Sequence, residues 1–149
     1  MKVICLIFII FLNTNAYSGE KNNSYFHIDA DKLIIKENPL ISEFIGNTYA
    51  RNDVYQFWGD RILIDYDINK KIKLITIIDN VKIIRPNEEI FGDKAIYDLK
   101  LEKIKISGNV SIIKEGNVLN GAKLTVDLIN STSIIEGNSD NQVSVKVIK

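Results

Sequence analysis

At 149 residues the chain has length for one domain with a real core. Its 19 basic and 19 acidic side chains cancel, so no net field favours nucleic acid as a partner. With one histidine and one cysteine, it also lacks a two-histidine metal pattern and any disulfide framework.

The N-terminus reads as a secretory leader. Lys2 precedes an apolar run from Val3 to Leu12, then Asn13, Thr14, Asn15 and Ala16. Small residues at Thr14 and Ala16 suit cleavage after Ala16, with Ser18 as the alternative site. The apolar run is shorter than the roughly 20 residues that cross a bilayer, although an uncleaved anchor is the competing reading. Cys5 lies inside this run, so a processed chain carries no thiol. The expected organisation is a signal peptide at 1–16, a flexible polar lead-in at 17–24 and one domain at 25–149.

From Tyr25 onward the pattern is all β, with Ile, Val, Tyr, Phe and Thr alternating with charged residues between short turns. The alternation predicts strands near Phe26–Ala30, Lys32–Lys36, Ile41–Ile45, Thr48–Arg51, Gln56–Trp58 and Arg61–Tyr66. Further strands are predicted near Lys71–Ile78, Val81–Arg85, Glu89–Phe91, Lys94–Asp98, Lys103–Ser107 and Val110–Lys114. The last fall near Val118–Leu119, Lys123–Leu128, Thr132–Glu136 and Gln142–Ile148. No helical periodicity competes with this reading after the leader.

Two recurrent features organise these strands. Gly46-Asn47, Asp79-Asn80, Gly108-Asn109 and Gly137-Asn138 recur in steps of 33, 29 and 29 residues. A second series, at Asp31, Asp60, Asp93 and Ala122, recurs in steps of 29, 33 and 29. A fixed period in this range marks stacked units, each burying its apolar face on its neighbour. Parity along the second series puts Ile62, Ile64, Tyr66, Ala95, Tyr97, Leu99, Leu124, Val126 and Leu128 on one face. The first series gives an inward set of Ile77, Val81, Ile83, Ile104, Ile106, Val110 and Ile112. Gly46, Gly108 and Gly137 fall on the same parity and suit a bend or bulge. Two β layers facing across an apolar seam follow.

Catalytic chemistry finds no support. His27 stands alone, and Asp29, Asp31, Asp60, Asp65, Asp93 and Asp98 sit at recurrent positions where turn hydrogen bonding explains them. No Ser/His/Asp set and no phosphate-binding glycine loop is present. The outward Arg61, Lys94 and Lys123 read as a solvated face that keeps the sheet soluble.

The Gly108-Asn109-Val110 step, the strand from Gly92-Asp93-Lys94 to Tyr97-Asp98 and the opening Phe26-His27-Ile28-Asp29-Ala30-Asp31 resemble the OstA-like family. These are the LptA-like lipopolysaccharide-transport proteins, and the resemblance runs from Phe26 to Ile148. It implies a twisted β-jellyroll, open at both ends, with an apolar groove for acyl chains and no cofactor. It further implies a periplasmic bridge of head-to-tail copies between an LptC-like inner-membrane partner and an LptD-like outer-membrane partner.

Matching motifs place Tyr97 and Leu99 in the lipid groove, with Ile83 and Phe26 similarly sited. Added to the inward parity, the candidate lipid-binding set is Phe26, Ile28, Ile62, Ile64, Ile83, Tyr97, Leu99, Val110, Ile112, Leu124 and Val126. Asp79 departs from the family's glycine and Ala122 from its aspartate. The competing readings are an inner-membrane-anchored member of the same family and a structural β-solenoid surface protein with a dry core.

Overall fold

In the computed structural model, which describes residues 25–148, ten strands form one antiparallel sheet. The expected leader and lead-in lie outside the described residues. The strands are β1 (His27–Asp29), β2 (Lys32–Glu37), β3 (Leu40–Arg51), β4 (Gln56–Tyr66) and β5 (Ile72–Arg85). They continue as β6 (Glu88–Asp98), β7 (Lys103–Lys114), β8 (Asn117–Asp127), β9 (Thr132–Glu136) and β10 (Ser144–Lys146). From β3 to β8 each strand pairs with the next in sequence. Many predicted segments are thus halves of single strands. Thr48–Arg51 continues Ile41–Ile45, and Val81–Arg85 continues Lys71–Ile78, across the recurrent step.

At each step the ladder slips. The register breaks between Ile45 and Thr48, between Ile78 and Val81, and between Ser107 and Val110. Gly46 and Asn47 have φ of 81° and 46°, and Gly108 and Asn109 have 77° and 46°, so two successive left-handed residues turn the strand. Asp79 and Asn80 reach the same region at 60° and 51°, which Asp and Asn tolerate better than other residues. A side chain then clamps each bend. Asn47, Asn80 and Asn109 donate through Nδ2 to Oδ2 of Asp31, Asp60 and Asp93, at 2.7, 2.8 and 2.9 Å. The two recurrent series are therefore the two halves of one device.

The fourth copy departs from this pattern. Ala122 offers no carboxylate to Asn138, and β9 stops at Glu136, before the step. Asn138 instead accepts from the amides of Asp140 and Asn141 at 3.0 and 2.7 Å, forming a local turn. Gly137, expected at a bend, sits in this loop. Ala122→Asp should supply the missing acceptor, carry β9 through Gly137 and add about 0.5–1.5 kcal/mol of stability. Denaturant midpoints and amide exchange over 137–143 read both effects.

Bending strands β3 to β8 folds the sheet into two halves. The first runs β2, the early part of β3, the late part of β4 and on to β9. The second runs β1, the late part of β3, the early part of β4 and on to β10. Ladder partners line up into apolar rows across each half. In the first, Leu33, Phe44, Ile62, Ile77, Ala95, Ile106, Leu124 and Ile135 are successive neighbours. In the second, Ile28, Ala50, Phe57, Ile83, Ile90, Ile112, Leu119 and Val145 are. These rows meet in one core, with Ile62 and Ile106 0% exposed and Ile83, Val110 and Leu124 1%. Next to the bend Thr48, itself buried, satisfies its hydroxyl by donating to the Gly59 carbonyl at 2.6 Å. The expected all-β, open-ended jellyroll is the fold.

Candidate lipid-binding groove

The folded sheet has an apex, where the clamps lie, and a mouth between two rows of hairpin turns. Aspartates cap the turns on one side of the mouth. Asp98 accepts from the amides of Lys100 and Leu101, and Asp127 from those of Ile129 and Asn130, at 2.9–3.1 Å. The hydrogen bonds from Asn130, followed by Lys103, hold the Asp127 carboxyl below its ordinary pKa. Of the recurrent aspartates, Asp31, Asp60 and Asp93 thus serve bends and Asp98 a turn. His27 pairs with Asp29 at 3.2 Å at the sheet margin. Among the described residues no group of three or more His, Cys, Asp or Glu comes together to hold a metal.

The candidate residues divide by depth. Ile62, Ile64, Ile83, Val110, Ile112, Leu124 and Val126 lie in the seam, none more than 5% exposed. Phe26, Ile28, Tyr97 and Leu99 are half-buried and pack against that seam nearer the mouth. The two halves are closed on each other, so an acyl chain would have to part them. The seam is made of hydrocarbon that can part without leaving an unsatisfied polar group, and no buried side-chain polar atom lacks a partner among the described residues.

Phe26 bridges the two halves. Its ring lies 6.2 Å from Phe57 in the second half-sheet and 6.4 Å from Tyr97 in the first, edge-on to the latter. Tyr55 extends the cluster, 5.8 Å from Phe57. Burial pushes the Tyr97 phenol above its ordinary pKa, with nearby Tyr55 and Glu102 adding to the rise, so Tyr97 stays neutral in the seam. The break at Ala30 and Asp31 between β1 and β2 lets Phe26 and Ile28 share the inward face despite the parity change.

A charge pair at the mouth was not legible as part of the site. Arg85 and Glu88 flank the β5–β6 turn on the inward parity, and Arg85 Nε donates to Glu88. Their side chains are only 22% and 10% exposed. Burial works against the Arg85 charge, but Glu88 and the Tyr55 hydroxyl outweigh it and raise its pKa. The pair sits at the rim of the seam. Beside it, a cavity of ≈ 310 Å³ runs from Tyr55 and Arg85 to Val126, Leu128 and Ser133 of the opposite half.

Phe57, Ile75, Ile90, Ile104 and Leu119 line the same seam without having been singled out as candidates. The parity rule reaches Ile75 and Ile104, but at Phe57, Ile90 and Leu119 it is reversed by the bend. Arg61 points outward onto Glu43 at 2.8 Å, and Lys123 onto Glu136 at 3.3 Å, away from the seam.

Residues 27–132 match the family described as LptA/(LptD N-terminal domain) LPS transport protein. The crystal structure of LptH is similar in fold, with a TM-score of 0.74 at 12% identity over 84% of this chain and 96% of that one. That protein is the LptA-homologous periplasmic component of the conserved lipopolysaccharide transport device of Pseudomonas aeruginosa. No curated protein sequence matches the chain.

Proposed function

Because the chain belongs to the LptA/(LptD N-terminal domain) family of lipopolysaccharide transport proteins, we propose that it binds lipopolysaccharide by its acyl chains in the seam between the half-sheets. The observation that supports this best is the pair of apolar rows running from one sheet edge to the other through both halves. A seam of that form can hold hydrocarbon at any point along its length. The family is one of lipid transport proteins, not of enzymes.

Energetics fit a carrier. Each methylene leaving water gains about 0.8 kcal/mol, so an acyl chain of ordinary length gains several kcal/mol. Parting the half-sheets costs the contacts that their side chains make with each other, which offsets much of that gain. The small net difference favours capture without trapping. The sheet's two edges, unpaired among the described residues and normally a liability, extend the seam when they pair with another copy. On this reading the chain crosses the periplasm as a head-to-tail bridge, with LptC-like and LptD-like partners at its ends. A cleaved leader at 1–16 ahead of a domain at 25–149 completes the proposal.

Phe26 is the test. Removing a ring that ties the two halves together should ease their separation, so Phe26→Ala should load fluorescent lipopolysaccharide faster than the unaltered chain, with the thermal midpoint lowered only modestly. Stopped-flow uptake measures it. Uptake insensitive to Phe26, with lipid displaced by agents that bind the outer face, would point to a dry core and a structural protein.

A further inference from the structure

We infer that two copies of this chain join through β9 of one and β2 of the next in a single register, with Glu136 opposite Lys32 of the second copy; this rests on the end-to-end reading above. The register follows from the internal joints. In each, the residue just before the bend step pairs with the basic residue just after the aspartate position of the next strand. The pairs are Ile45 with Arg61, Ile78 with Lys94 and Ser107 with Lys123. The residue before the fourth step is Glu136, and the first basic residue of that series, Lys32, lies on the sheet's other edge among the described residues.

Two further features favour this joint. β9 and β2 run in opposite senses along the ladder, so a translated copy brings them together antiparallel and continues both half-sheets at once. A two-fold joint of β2 with β2 would set apex against mouth and continue only one. In the translated register Ile135 meets Leu33 and Ile134 meets Ile34, so the inner row and the outer row both run on. Charge is complementary at this joint as well. Glu136 is acidic where Ile45, Ile78 and Ser107 are not, and Lys32 has no acidic ion-pair partner among the described residues. Glu136 would then lie between Lys123, already 3.3 Å away, and Lys32 of the neighbour.

Outward cysteines test it on the full chain with Cys5→Ser. Ile34→Cys is made in one protein and Ile134→Cys, at a side chain 59% exposed, in another. Mixed under mild oxidation, the pair should give a disulfide-linked heterodimer. Moving the second cysteine to Thr132→Cys, same face but out of register, should lose it. Lys32→Glu in the first protein should lose the product at low salt, and added salt should recover it. A stronger product with Thr132→Cys would overturn the register while leaving the end-to-end bridge standing. Products from Ile34→Cys alone, joining like edges, would overturn both. No product in any mixture of folded proteins would also overturn the joint.

Discussion

Ile106→Ala should destabilise the fold by about 2–5 kcal/mol, the range for emptying a fully buried isoleucine site. Ile106 is 0% exposed and stands in the row beside the apex, between Ala95 and Leu124 on its ladder neighbours. It also fills the space above Gly92, where an added methyl would collide with its Cγ2. Neither neighbour can move in to fill the cavity. Ala95 is too small, and Leu124 is itself wedged at 1% exposure. The loss falls where the bend is clamped by Asp93 and Asn109, so the two half-sheets lose packing at their hinge. Equilibrium denaturation of the variant gives the magnitude. A cost well under 1 kcal/mol would mean that the apex is loosely packed.

Leu99→Asp should have the larger effect on function with a smaller one on stability. Leu99 is half-buried just past β6, and its amide is held by the Lys73 carbonyl at 3.2 Å, so the backbone there does not depend on the side chain. Its side chain packs against the seam near Tyr97 on the path an acyl chain would take. A carboxylate at that point must stay hydrated or be buried unpaired, and either is costly beside hydrocarbon. Replacing several CH₂ contacts at about 0.8 kcal/mol each and adding that cost should weaken lipopolysaccharide retention by at least roughly tenfold. Lipid co-purified with the variant, quantified by mass spectrometry against the unaltered chain, measures the loss. Undiminished loading would place the lipid elsewhere.

Much of the fold was legible because the repeat and the two-residue period are local. The spacing of the Gly-Asn and Asp positions and the inward set from Ile62 to Val126 needed no knowledge of tertiary contacts. Why the aspartates recur was only half legible. Turn bonding explains Asp98, but Asp31, Asp60 and Asp93 clamp asparagines 16 or 20 residues away on the neighbouring strand. Such a pairing is visible only once the register is known. The bend also reverses parity, which hid Phe57, Ile90 and Leu119 from a count along the strand. Arg85 and Glu88 read as ordinary turn charges, because nothing in the chain around them announces that the turn faces the mouth. Closure of the seam is a balance of packing across two half-sheets, and no local pattern encodes it.

Bound lipid is expected to lie between the half-sheets. A photoreactive phenylalanine analogue at Tyr97, facing the seam, and in a second protein at the adjacent Ile96, facing out, tests it most directly. With lipopolysaccharide bound and irradiated, a lipid adduct at 97 without one at 96 is the expected result. Adducts at 96 alone, or at neither position with folded protein and excess lipid, would contradict a lipid-binding seam.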